Sequence, residues 1–167
     1  MNPRLALAVA AACAALLAPP QVRAGIADSP LPVFSAGATT FHLYSVPGVI
    51  RTGGIATFFS CTSMDTATMQ VGVETFGAPG GAPSNDAAAT SLSVAPGATV
   101  IFGTSAAVGI SISSNLASGP MSKGSARILA TSKKLACTAF VADRGNDPPQ
   151  TSWQLTIVAK TKQKAAN

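Results

Sequence analysis

Residues 68–76 have the sequence Thr-Met-Gln-Val-Gly-Val-Glu-Thr-Phe, in which apolar side chains alternate with polar or small ones. Successive side chains on a β-strand point to opposite faces. The order therefore places Met69, Val71 and Val73 on one face and Gln70, Gly72 and Glu74 on the other. Strict alternation over this length is typical of a strand with one face in a core, and it predicts a strand at 68–76.

The same period of two continues along the chain and predicts nine short strands. They fall at 39–46, 54–62, 68–76, 91–94, 99–102, 107–113, 125–131, 135–142 and 152–160. The dipeptide Pro47-Gly48 is expected to end the first strand, and residues 77–86, 115–124 and 143–149 are predicted loops. Short strands separated by frequent turns predict an all-β sandwich or barrel.

Residues 1–24 have the features of a secretory signal peptide. Arg4 provides a basic start, residues 5–18 form an uncharged apolar run, and Val22 and Ala24 suit the −3 and −1 positions of a cleavage site. At 1.5 Å per residue the apolar run is too short to cross a membrane core of roughly 30 Å. We therefore expect cleavage after Ala24, an exported mature chain and no membrane span in it.

The mature chain is expected to have three parts. Residues 25–36 are rich in proline and predict a loosely attached N-terminal arm. Residues 37–161 predict a single domain, since no shift in composition divides them, and residues 162–167 form a basic, polar tail.

Two cysteines, Cys61 and Cys137, remain after the loss of Cys13 with the leader. An even pair in an exported chain predicts a disulfide. Both cysteines are in phase with the apolar side chains of their strands, so the bond is expected to cross between two packed sheets. The alternative is a pair of buried free thiols.

The pattern resembles bacterial secreted immunoglobulin-like modules. The resemblance rests on a cysteine in an early and in a late strand, and on the strand–Pro-Gly–strand step at residues 92–100. It implies an immunoglobulin-like antiparallel β-sandwich of about 7–9 strands with one inter-sheet disulfide. The single tryptophan, Trp153, lies in the last predicted strand, which departs from antibody domains. The alanine-rich leader and this resemblance suggest a bacterial source.

The sequence contains few of the residues and motifs that catalytic sites use. His42 is the only histidine, no Gly-x-Ser-x-Gly motif occurs, and the six acids are scattered. Neighbours such as Ser122 and Lys123 point to opposite faces of a strand, which argues against a Ser–Lys dyad. We therefore predict a protein that is not an enzyme and needs no cofactor; a hydrolase or metal-binding protein is the remaining alternative.

One loop contains clustered oxygen ligands. Asp143, Asn146 and Asp147 are weak candidates for a calcium site. Their spacing matches no EF-hand, and Asp and Asn are also ordinary turn formers.

Basic residues are distributed unevenly. Residues 87–142 contain no acid but include Lys123, Arg127, Lys133 and Lys134, and Arg127 is expected on the polar face of a hairpin with Lys133 and Lys134 at its tip. Such a face could bind a polyanion. Lysines at a hairpin tip also protect sheet edges without binding anything.

These observations favour an exported, non-catalytic module with a structural or protein-interaction role at the cell surface or in the periplasm. A polyanion-binding module that uses the basic hairpin face is the alternative. The expected partner is another exported protein or an anionic surface polymer, and nucleic acid is not expected, because basic clusters with interleaved aromatics are missing.

Overall fold

The computed structural model describes residues 25–160, and this part of the chain is all-β, as predicted. It contains ten strands and one four-residue helix. In chain order they are β1 (Phe41–Thr52), β2 (Ile55–Ser63), β3 (Met69–Gly77), α1 (Ala87–Thr90), β4 (Leu92–Val94), β5 (Thr99–Gly103), β6 (Ser114–Asn115), β7 (Met121–Ala130), β8 (Leu135–Asp143), β9 (Ser152–Leu155) and β10 (Val158–Ala159).

The strands pair in two groups. In the first, β4, β3, β7, β1 and β10 lie side by side, and in the second the order is β9, β8, β2, β5 and β6. The groups join where β1 turns into β2, through the pairs Arg51–Ala56 and Thr52–Ile55. The ladders are antiparallel apart from the two-residue pairing of β5 with β6. β1 therefore belongs to the first group along most of its length and reaches the second only at its end.

Both groups contribute side chains to one hydrophobic core. The contributors include Val46, Val73 and Ile128 from the first group and Phe59, Cys61 and Ala139 from the second. Met69, Val71 and Val73 share this core, which confirms the face predicted for them. Full burial of each large apolar side chain contributes about 1.5–3 kcal/mol relative to exposure, so the core is the main source of stability.

A smaller cluster lies on the other face of β2. Phe58 packs there with Ala56 and Ala142, and Ile110 and Ile112 cover it. The predicted strand at 107–113 is wrong, because this segment is a covering loop whose Val108 and Ser113 amides donate to the carbonyls of Arg144 and Ile101. Its alternating apolar residues reflect packing onto this cluster rather than strand pairing.

The first strand does not end at Pro47-Gly48 as predicted. β1 continues to Thr52, with Pro47 opposite Ser125 of β7 and register shifts on either side of Val49. Gly48 adopts a φ of 81°, which glycine tolerates. A bulge therefore accommodates the proline, as is usual where proline occurs inside a sheet.

Two further boundaries differ from the prediction. β7 begins at Met121, inside the expected loop 115–124, because its polar first residues pair with the end of β1. The last predicted strand is divided into β9, which pairs with β8, and β10, which pairs with β1. α1 was not expected; Asp86 caps it by accepting from the amides of Ala88 and Ala89.

The Cys61–Cys137 disulfide is present, but its predicted inter-sheet position is wrong. The two cysteines are directly opposite in the β2–β8 ladder, with a Cα–Cα distance of 4.2 Å. The bond therefore joins neighbouring strands of the same group. Both cysteines alternate in phase with apolar neighbours because they face the same core from adjacent strands.

The N-terminal segment is attached more firmly than expected. Residues 25–36 run over the outer face of β3 and β7, where Ser29 is buried and Phe34 lies against Gly72. A Cβ at residue 72 would be 2.6 Å from the Phe34 ring, so this close approach requires glycine. The face of β3 opposite the core is thus also covered.

The predicted leader (1–24) and basic tail (162–167) lie outside the described residues. The single domain at 37–161 stays a prediction. Among residues 25–160 no helix is long and apolar enough to cross a membrane.

Candidate interaction site

The four basic residues singled out in the sequence do not form one surface. Lys123 is exposed near the start of β7, whereas Lys133 and Lys134 follow its end. Seven residues of strand, about 23 Å at 3.3 Å per residue, separate Lys123 from the end of β7. The strand therefore keeps Lys123 apart from the hairpin tip.

Arg127 was expected on an exposed polar face, and this expectation is wrong. Its side chain is 1% exposed and pairs with Glu74, the residue opposite it on β3. The guanidinium also lies 5.3 Å from the centroid of the Phe76 ring. Burial of a charge is costly unless it is paired and hydrogen-bonded, and both conditions are met here. Arg127 is consequently unavailable to an external anion.

Lys134 is engaged with an acid. Its Nζ is 3.2 Å from Oδ1 of Asp65, and Ser132 donates its hydroxyl to the same carboxylate. The Ser132 bond, the Thr66 amide and Lys134 lower the pKa of Asp65 to about 2. Asp65 therefore stays ionised and offsets the charge of Lys134 at the hairpin tip.

An open cavity of about 750 Å³ lies along the first half of β1. We call it the β1-edge cavity. Its lining combines aliphatic and aromatic side chains with two lysines: Leu31, Thr40, Phe41, His42, Leu43, Tyr44, Ser45, Lys133, Val158, Ala159 and Lys160. No acidic side chain occurs among these described lining residues. The cavity thus presents apolar surface under a positive charge.

Lys133 is the one basic candidate that reaches this cavity. Its Nζ lies 4.7 Å from the centroid of the Phe41 ring, within the range of a cation–π contact. Lys160, at the end of β10, provides the second positive charge on the lining. The two lysines come from segments far apart in sequence, which is why composition alone did not link them.

His42 forms part of the wall. Its Nε2 is 3.1 Å from the Tyr44 carbonyl and 3.0 Å from the Ser45 hydroxyl. A carbonyl only accepts, so Nε2 carries the proton and Nδ1 of the neutral ring is an acceptor. Burial, Lys160 and Arg127 lower the pKa of His42 to about 4. The ring is therefore neutral at pH 7.

Two buried polar atoms in this wall have no hydrogen-bond partner among the described residues. They are Nδ1 of His42 and Oγ1 of Thr40. Buried polar groups are nearly always hydrogen-bonded in folded proteins. The wall therefore contains an unpaired acceptor on β1 and an unpaired hydroxyl on the residue just before that strand.

The edge of β1 is only partly covered. β10 pairs with Tyr44 and Ser45, and the Lys160 amide donates to the Leu43 carbonyl at 2.8 Å. Within residues 25–160 no strand continues this pairing beyond Leu43 toward Phe41. The start of β1 is thus a strand edge at the cavity with which no strand among the described residues pairs.

The weak calcium candidates form a closed loop. Asp143 accepts from the Asn146 side-chain amide at 2.9 Å and from the amides of Gln150 and Thr151 at 2.6 and 2.9 Å. Asn146 thus presents a donor, rather than an oxygen ligand, to Asp143. These bonds lower the pKa of Asp143, and they hold the two ends of the loop together. The role of Asp147 stays untested.

Tyr44 and Trp153, the only tyrosine and the only tryptophan of the sequence, lie on different strands, β1 and β9. Tyr44 donates its hydroxyl to the Leu135 carbonyl and lines the cavity, whereas Trp153 is 41% exposed on β9. No cluster of three or more His, Cys, Asp or Glu suited to a metal occurs in the described part of the chain.

The sequence matches no protein-family model, no curated protein and no solved structure.

Proposed function

We propose that this protein is an exported, non-catalytic β-sandwich module that binds another exported protein, and that the β1-edge cavity is its contact surface. The observation that carries the proposal is the combination, at one place, of apolar walls, two lysines and a strand edge that no described strand covers. An extended segment that adds to the edge of β1 would continue the line of β10, as in strand addition by peptides.

The positive charge of the cavity indicates which kind of partner would fit it. Lys133 and Lys160 are opposed by no acid on the lining, so an extended segment with acidic side chains complements the site. The tail of this chain contains Lys162 and Lys164, whose charge has the same sign as that of the cavity. Charge complementarity therefore favours a separate acidic partner over the tail.

The sandwich architecture in this proposal is supported by the pairing of the strands. Two five-strand groups meet at a single corner and direct apolar side chains into a shared core, as two packed sheets do. The disulfide within one ladder departs from the immunoglobulin pattern, so the proposal concerns a two-layer sandwich without an inter-sheet bridge.

Export is supported by two independent features. Residues 1–24 have the order of a secretory leader. The Cys61–Cys137 disulfide is typical of oxidising compartments, which include the periplasm and the cell exterior.

The non-catalytic role is supported by the state of the titratable groups. Glu74 pairs with a buried arginine, Asp143 holds its own loop, and His42 donates to the backbone. A general acid must donate a proton to its substrate and a general base must accept one, and the Glu74 and Asp143 carboxylates and Nε2 of His42 are instead bonded within the fold. Assays with ester, peptide and glycoside substrates should give no turnover; activity lost on Ser122→Ala would overturn this part.

The contact surface is tested by photo-crosslinking in the producing cell. A benzophenone amino acid replaces Val158, an exposed lining residue, and in a matched control it replaces Val108, equally apolar and exposed on the loop over β2. We expect an adduct with one exported protein from position 158 alone.

Charge reversal provides the second half of the test. Lys133→Glu with Lys160→Glu should abolish the adduct at 158 and leave the melting temperature unchanged, because exposed charges contribute little to stability. Adducts of the same kind from both positions, no adduct at 158, or an adduct that survives charge reversal would each reject the surface.

A further inference from the structure

The first residues of the described chain close into a compact turn. The Gly25 nitrogen donates to Oδ1 of Asp28 at 2.6 Å. The Gly25 carbonyl accepts from the Ser29 amide at 3.0 Å and from the Ser29 hydroxyl at 2.8 Å. Both ends of the Gly25 residue are thus bound by side chains or amides three and four positions later.

This turn is bound by Arg127, a buried side chain of the sheet. Nη1 of Arg127 donates to the Ser29 carbonyl at 3.0 Å and to the Ile26 carbonyl at 3.4 Å, and Nη2 donates to the Pro30 carbonyl at 2.8 Å. Nε of the same guanidinium is held by Glu74. The buried arginine therefore uses four of its five N–H donors to join β3, β7 and the N-terminal turn.

The location of the turn coincides with a site found independently in the sequence. Val22 and Ala24 place the predicted cleavage between Ala24 and Gly25. Hydrolysis of that bond by a leader peptidase adds the hydroxyl of water to the Ala24 carbonyl. The Gly25 nitrogen becomes an amine, which takes a proton from solvent at neutral pH because α-amino groups titrate at about 7.7–8.0.

We propose that Asp28 is the binding site for the α-ammonium group released on Gly25, so that removal of the leader strengthens the bond that closes the N-terminal turn on Arg127. The proposal goes beyond the interaction role, and it rests on the predicted cleavage. In the precursor the nitrogen is a neutral amide with one donor. In the mature chain it has three donors and a full positive charge, and charge-assisted hydrogen bonds are roughly twice as strong as neutral ones.

The surrounding charges favour this assignment. Asp28 faces the nitrogen from the same turn, and the turn packs on Arg127 of β7, whose charge is paired with that of Glu74 on β3. The carboxylate of Asp28 is therefore the net charge that the ammonium meets. It stabilises the protonated amine and should raise the pKa of that amine.

The test is made on protein exported from the full-length gene with its own leader. Mass spectrometry of the N-terminus should give Gly25 as the first residue. An NMR titration of the Gly25 α-amino group should give a pKa above the ordinary range of about 7.7–8.0. Asp28→Asn should return the pKa to that range, whereas Asp147→Asn, a matched change at another aspartate, should leave it raised.

Asp28→Glu provides a rescue variant, since it keeps the charge on a longer side chain and should retain a raised pKa. It also supplies the comparison if Asp28→Asn does not accumulate. A first residue other than Gly25, an ordinary α-amino pKa in the wild type, or equal pKa values in the wild type and Asp28→Asn would overturn the proposal. None of these outcomes depends on the partner at the β1-edge cavity.

Discussion

Arg127 is fixed both by the sheet and by the N-terminal turn. It is buried, it pairs with Glu74, and it donates to the carbonyls of the N-terminal turn. A buried ion pair is often no better for stability than a well-packed apolar pair, but removal of one partner leaves an uncompensated charge. Its role is thus to specify where residues 25–30 attach.

We expect Arg127→Met to destabilise the protein by about 3–5 kcal/mol, measured by denaturant unfolding. Glu74→Leu combined with Arg127→Met should recover much of the loss, because no charge is then left buried. Lys123→Met, exposed on the same strand, serves as control and should change stability by less than about 0.5 kcal/mol.

The double variant separates stability from attachment. Without the guanidinium the turn loses its anchor, so chymotrypsin should cleave at Phe34 faster than in the wild type even where stability has recovered. A double variant as unstable as Arg127→Met, or as resistant at Phe34 as the wild type, would contradict this account.

His42 contributes to the response of the fold to mild acid. Its pKa is lowered to about 4 in the folded state and is about 6.5 in an unfolded chain. The unfolded state therefore binds the proton more readily, and stability present above pH 6.5 is lost as the pH falls toward 4.

We expect the free energy of unfolding to decrease by at most about 2 kcal/mol between pH 6.5 and 4, less than the full shift implies because the ring is half-exposed. In His42→Gln, which keeps a donor for Tyr44 but does not titrate, the decrease should disappear. Asp65 and Asp143, with lowered pKa values, act in a separate window below pH 4. An unchanged pH profile in His42→Gln would refute the assignment.

At the scale of elements, strands buried on the core side were predictable. β2, β3 and β8 were predicted to within one residue at each end, because their alternation coincides with strand pairing. The start of β7 was missed because Ser122, Lys123 and Gly124 carry no apolar signal, and pairing with β1 decides their structure. The loop at 107–113 carries the same alternation without a ladder.

The candidate site was less predictable than the strands. His42, Lys133 and Tyr44 were visible as separate residues, but the cavity forms only when Leu31, β10 and the β7–β8 turn reach the edge of β1. Such long-range placement leaves no local pattern. Arg127 was misplaced for the same reason, since residues 25–30 cover the face on which it lies.

The disulfide stabilises the β2–β8 ladder, the longest in the second group. It closes a loop of 76 positions, for which the chain-entropy model gives on the order of 4 kcal/mol. Cys61 is fully buried in the core beside Phe59.

We expect Cys61→Ala and Cys137→Ala each to cost about 2–5 kcal/mol, and the double variant to cost little more than either single one. Thermal or denaturant unfolding of the purified variants measures this. Peptide mapping without reductant should recover the two cysteines linked; two thiols that alkylate in the native protein would contradict the bond.

For the whole molecule, net charge is a poor guide to anion binding. The chain has a formal charge of +5, but Arg127 and Lys134 are paired with acids and Lys123 is far from Lys133 along β7. Polyanion affinity depends on many cations acting together and weakens steeply with salt.

We therefore expect elution from heparin below about 0.15 M salt, the ionic strength at which charges more than about 8 Å apart are largely screened. Lys133→Glu with Lys134→Glu should elute close to the wild type, and Lys134→Gln should not differ from it. Retention of the wild type well above that salt, lost in the double variant, would favour the polyanion alternative over the protein partner.

The antiparallel pairing of β1 with β10 also has a mechanical consequence. Lys160 lies beside Leu43, so a pull that separates Phe41 from Lys160 peels β10 away one residue pair at a time instead of shearing a whole ladder. Once the strands have separated, the disulfide prevents the segment between Cys61 and Cys137 from being stretched. At 3.3–3.6 Å per residue, the tethered domain can lengthen to about 150 Å when oxidised, against about 400 Å when reduced. Under tension, the bond would therefore set the reach of a module anchored at both ends.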